Sequence, residues 1–175
     1  AGLSRLNVSL DSLDEARFEK IARRSGLQRI LEGLEEARRQ GFRSIRMNAV
    51  SIRGLTEQDI IPLAEFCRTH CFHLRFIEFM PLDAEDAWSR EDVLTGREVR
   101  QIIEMHIGEL SQIEGNNPGQ PSIDYAYVDG SGVVDIIGIM GVDVVGVVDA
   151  VDGVDGVGVV GVVGSDEVDA VEVVD

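Results

Sequence analysis

The chain has 175 residues, a formal net charge of −16 and 44% apolar residues, a size that allows one domain with a substantial core. The charge is uneven: residues 133–175 hold ten of the 32 acidic residues and none of the 16 Lys and Arg, leaving a net −6 on residues 1–132. This excludes general nucleic-acid affinity; with no run of about 18 apolar residues it also excludes a membrane span, and two Cys without a leader-like segment fit a reducing cytoplasm.

Leu3 to Leu10 has apolar residues at 3, 6, 8 and 10 and reads as a strand, closed by Asp11 or Ser12, either of which suits the cap of the next helix. That helix spans Asp14 to Arg24, and Gly26 breaks it. A second spans Leu27 to Gln40, with Ile30, Leu31, Leu34 and Ala37 at the spacing of a buried stripe, and stops at Gly41. Ser44 to Ile52 is a second strand. Thr56 with Asp59 resembles an N-cap for a helix reaching His70, in which Pro62 is tolerable near the first turn. Leu74 to Asp83 is a third strand, apolar on most positions but carrying Arg75 and Glu78, and ended by Pro81. Charges inside such a strand need a partner or a polar cavity.

A polar loop with Trp88 follows, then a helix from Gly96 to Ile107 capped by Thr95. Asn116 to Gly119 is a loop signal, Ile123 to Val128 a strand, and Asp129 to Gly132 a turn. Strand and helix alternate with crossovers of about 30 residues, which argues parallel strands joined by βαβ units. The fold class is α/β, a partial (βα) barrel, since three such strands are too few for the eight of a closed one.

Residues 133–175 differ: 18 Val, eight Gly and eight Asp, almost all amino acids whose codons begin with G. They read as a low-complexity tail, either disordered or an artefact of the gene end. The letter match Gly156, Gly158, Gly161 to a dinucleotide fingerprint arises by chance in such a tract, and Asp149, Asp152 and Asp155 match no calcium loop. Cys67 and Cys71, with His70 and His73, echo a metal motif, but Cys67 falls on the buried stripe of its helix and no third Cys exists.

Three segments carry a family resemblance: R-L-N-V-S-L-D-S-L-D (5–14), I-R-M-N-A-V-S-I-R-G (45–54) and L-R-F-I-E-F-M-P-L-D (74–83). They resemble the fourth, fifth and sixth barrel strands of the GTP 3′,8-cyclase family, radical S-adenosylmethionine (SAM) enzymes that open molybdenum cofactor biosynthesis. The resemblance covers residues 1–132, including Trp88, Val93–Thr95 and Tyr125–Gly132. It implies a partial radical SAM barrel over residues 1–108, the start of the C-terminal cyclase region over 109–132, and the tail beyond.

It also implies an activity: SAM and [4Fe–4S] clusters convert GTP to 3′,8-cyclo-7,8-dihydroguanosine 5′-triphosphate, with cyclic pyranopterin monophosphate synthase acting downstream and a homodimer compatible. At matching positions Ser9 would hydrogen-bond SAM, Met80 would line its adenine end, and Asn48 and Arg75 would hold its methionine part. Arg46, where the family usually has Lys, would be a cation for GTP. The family's two three-Cys cluster motifs have no counterpart in the sequence, so no metal ligands are assigned, and the chain alone is expected to be inactive. The alternatives are a segment of a radical SAM peptide-modifying enzyme and a non-catalytic half-barrel with an unpaired edge on each side.

Overall fold

The computed structural model describes residues 5–80, 89–113 and 122–138. Its elements run β1 (Arg5–Ser9), α1 (Glu15–Ala22), α2 (Leu27–Arg39), β2 (Ser44–Ser51), α3 (Ile60–His70), β3 (His73–Glu78), α4 (Gly96–His106), β4 (Leu110–Gln112), β5 (Ser122–Tyr127) and β6 (Val133–Ile137). They form a six-stranded sheet in the order β1-β2-β3-β6-β5-β4. β1, β2, β3 and β6 are mutually parallel, and β5 and β4 continue antiparallel. The mixed α/β reading holds.

Strand parity makes the core. In β2, Ile45, Met47 and Ala49 are buried and alternate with half-buried Arg46, Asn48 and Val50; in β3, Leu74 and Phe76 alternate with half-buried Arg75 and Ile77. Against the buried face pack Leu34 of α2, Ile60, Leu63, Ala64 and Cys67 of α3, and Val99 and Ile103 of α4. α4 starts at a capping box, in which the Thr95 hydroxyl accepts from Glu98 N–H and the Glu98 carboxylate accepts from Thr95 N–H. Pro62 is the third residue of α3, where an amide has no intrahelical acceptor to lose.

Several local expectations change. Asp14, not Asp11 or Ser12, caps α1, its side chain accepting from Arg17 N–H. Thr56 caps nothing: its hydroxyl donates to Val50 O at 2.7 Å and accepts from Ile52 N–H at 2.7 Å, closing the turn after β2. β4 is an element that three residues of sequence pattern do not announce.

The largest difference concerns the tail. Val133–Ile137 form β6, hydrogen-bonded to β3 on one side and β5 on the other, so the sheet extends five residues into the stretch that composition sets apart. A run of Val and Ile after the Gly130 turn is a good strand whatever follows it. β3 therefore has neighbours on both sides, and the unpaired edge expected there is covered. Pro81, Trp88, the 116–119 loop signal and residues 139–175, with the glycine and aspartate spacings noted above, lie outside the described residues. Among the described residues no helix is long and apolar enough to cross a membrane.

Candidate functional site

The second face of the sheet, opposite the core, carries the residues of interest. Partners across a ladder share a face, and the register places Ser9 beside Asn48, Asn48 beside Arg75 and Arg75 beside Asp135. Four strands thus contribute one polar row. Arg46 lies two residues before Asn48 on that face, between Asn7 and His73. Met80 stands apart from the row: it is half-buried, two residues beyond the end of β3, on the carboxyl side where parallel α/β sheets place ligands. Of the five positions singled out in the sequence, four share one face and the fifth adjoins its carboxyl end.

Asp135 holds the row together. Its side chain is 4% exposed, and Oδ2 accepts from a terminal Arg75 nitrogen at 3.2 Å. Arg46 Nε lies 3.5 Å from the same oxygen, close enough for charge attraction but outside hydrogen-bond geometry. Burial pushes the Asp135 carboxyl above its usual range, as does the charge of Asp124 across the β5–β6 ladder, while Arg75, Arg46 and His73 pull it down. Arg75 therefore answers Asp135. Glu78 lies on the other face, three residues along, where its carboxylate accepts from Gly96 N–H at 2.6 Å.

Three buried polar atoms on this face have no hydrogen-bond partner among the described residues: Arg46 Nε, Asn48 Oδ1 and Arg75 Nε. Buried polar atoms are nearly always satisfied, so a cluster of three on one face is the feature that singles this face out. Two donors and an acceptor suit a ligand carrying both an anionic group and a donor. Asp135 was missed in the sequence because it lies in the compositionally odd stretch. Its signal was a single charge inside the apolar run V-V-D-I-I.

The cysteines do not join this face. Cys67 is buried, its thiol 3.5 Å from Met47 Sδ and pushed up to about 12 by burial. Cys71 is exposed at the end of α3 with φ +57°. A [4Fe–4S] cluster needs three converging cysteines, and the sequence holds two, one buried against Met47 and the other exposed.

Comparison with known proteins follows the same line. Residues 1–67 match the radical SAM superfamily. The chain is 47% identical over 122 residues to the GTP 3′,8-cyclase of Rhodopirellula baltica, covering 70% of this chain and 34% of that protein. It is 40% identical over 104 residues to the GTP 3′,8-cyclase of Corynebacterium glutamicum, covering 59% and 28%, and 36% identical over 119 residues to that of Thermodesulfovibrio yellowstonii, covering 68% and 37%. The chain thus spans about a third of the length of these relatives. The resemblance carried by the three strand segments holds.

Proposed function

We propose that this chain, a radical SAM segment related to the GTP 3′,8-cyclases, is part of such an enzyme and supplies the barrel wall that holds SAM and GTP. The observation that supports it is the polar row Ser9–Asn48–Arg75 with Arg46 on the same face, where three buried polar atoms have no partner among the described residues. In the intact family enzyme a [4Fe–4S] cluster with SAM supplies radical chemistry. Cys67 and Cys71 do not fit such a cluster, so this chain's part is binding and orientation, and the chain alone is expected to turn over no GTP.

Each group has a chemically suited task. Ser9, at the carboxyl end of β1, both donates and accepts; Asn48 Oδ1 accepts from an ammonium; the Arg75 guanidinium donates to a carboxylate. Arg46 has a planar fork that matches a phosphate. Met80 offers a polarizable apolar surface to a purine. Parallel strands hold these groups in fixed register, the condition for positioning a reactive ligand.

A chimera tests the reading. Residues 1–132 replace the matching segment of the Rhodopirellula baltica relative, and cluster content and GTP conversion are measured. Retained conversion, reduced about tenfold or more by Asn48→Ala or Arg75→Ala at unchanged cluster content, is the expected result. A folded, cluster-loaded chimera that converts no GTP, or one indifferent to both substitutions, overturns it.

A further inference from the structure

On the helical side of the sheet, away from the polar row, α2 and α3 enclose a cavity of about 280 Å³. Leu31, Leu34, Phe66 and Phe72 form its apolar wall, and the His70 ring joins them, 4.2 Å from Phe66 and 5.6 Å from Phe72 between ring centroids. Glu32 and Glu35 border it. Arg39 lines it too, but its guanidinium is paired with Glu36 at 2.9 Å, and Arg38 meets Glu35 Oε2 at 3.3 Å. Three carboxylates against two guanidiniums leave one negative charge beside the aromatic wall. The remaining Glu35 oxygen, Oε1, lies 3.6 Å from His70 Nε2, too far for a hydrogen bond. His70 Nδ1 is 2.9 Å from Phe66 O, a carbonyl that can only accept, so the ring proton sits on Nδ1 and the neutral ring presents Nε2 as an acceptor. Two acceptors therefore converge at the mouth of an aromatic, acidic cavity, an arrangement complementary to a flat, donor-rich cation.

We propose that this cavity is a docking site for an arginine side chain of a partner protein. The guanidinium lies against the Phe66 and His70 rings and donates to Glu35 Oε1 and His70 Nε2, and its three-carbon stem covers Leu31 and Leu34. Free arginine fits less well, because its α-carboxylate would be held near Glu32 and Glu35; within a peptide that charge is absent. The site shares no residue with the ligand wall on the other face, so it stands or falls apart from that reading.

NMR titration of the full chain decides it, with arginine capped as its N-acetyl, N-methylamide derivative. Saturable shifts of the Leu31, Glu35, Phe66 and His70 amides are expected at millimolar concentration. The citrulline analogue, which keeps the shape and removes the charge, is expected to bind at least about tenfold more weakly, and so is free arginine. Glu35→Gln, at a half-exposed position, is expected to weaken capped arginine by a similar factor, and Phe66→Leu by several-fold. A Glu35 that served only to tie α2 to α3 would lower the melting temperature on substitution and leave arginine binding unchanged. No shifts with capped arginine, equal binding of the citrulline analogue, or binding indifferent to Glu35→Gln overturns the proposal. Free arginine binding as tightly as the capped form overturns the assignment to a protein side chain.

Discussion

Asp11 and Asp59 show how far a side chain's task depends on company it meets only after folding. The Asp11 carboxylate accepts from Val50 N–H at 2.7 Å, tying the end of β1 to β2. Asp59, 1% exposed, accepts from Ser12 Oγ at 2.7 Å and takes a two-pronged contact from Arg17 at 2.8 and 3.0 Å. Burial raises the Asp11 carboxyl above its usual value, the Val50 hydrogen bond lowers it, and the Asp59 charge raises it again. A carboxyl whose folded value is raised takes up more protons in the native state, so its contribution is fully present below the unfolded value of 3.8 and is lost as pH rises through the folded value. Asp11→Asn, which preserves the acceptor, is therefore expected to melt higher than the unmodified chain at neutral pH. The difference should shrink towards zero as pH falls below 3.8, and thermal melts across that range check it. The sequence offered Asp11 or Ser12 as the helix cap and began the helix at Asp14, the residue that caps it. Contacts with Val50, 39 residues from Asp11, and Asp59, 47 residues from Ser12, separate their roles, and local spacing carries no trace of either.

Between elements, β3, α4 and β6 meet at a close-packed junction. Glu78 ends β3 with its carboxylate at the first amide of α4, where the helix dipole favours negative charge. The sequence held part of this: three residues separate Arg75 from Glu78, an odd spacing that puts them on opposite faces of a strand. What it could not show was that α4 would begin beside Glu78. Gly96 lies at the same contact, and a Cβ there would stand 2.7 Å from Ile136 Cγ2, an atom fixed by branching rather than at the end of a flexible chain. Although Ala favours a helix over Gly, Gly96→Ala is expected to destabilise the chain by about 1–3 kcal/mol through overpacking. Urea unfolding measures it, and a neutral or stabilising result would show that β6 moves away at little cost. Nearby, Arg68 clips the β5–β6 turn to α3, its guanidinium 4.7 Å above the Tyr127 ring and 2.8 Å from both Asp129 and Ser131. The string Y-A-Y-V-D-G-S-G, recognisable by resemblance, is here the hairpin that Arg68 holds.

For the molecule as a whole, the parallel βαβ order and the helical stripes were legible, because periodicity fixes which side of an element faces the core; Ser9, Asn48, Arg75 and Arg46 were singled out by the family resemblance, and the register that sets them side by side was not legible. The extent of the sheet was not. Composition averaged over 43 residues hid a five-residue strand at the head of the tract. A chain stopped at Gly138 is expected to keep the melting transition of the full chain. One stopped at Gly132 is expected to lose cooperative unfolding, because β3 and β5 would each lose a neighbour. Equal melting curves for the two would show that β6 contributes little. The place of β6 also sets an order of events. It joins β3 across a separation of 60 residues, so the strand at the middle of the sheet is the last described one a ribosome releases. Until then β1, β2 and β3 can zip together by short crossovers, but they wait with one side of β3 bare while two further strands are made. Closing so distant a pairing is slow, and in that interval the nascent chain offers its apolar strand edge to any other chain nearby.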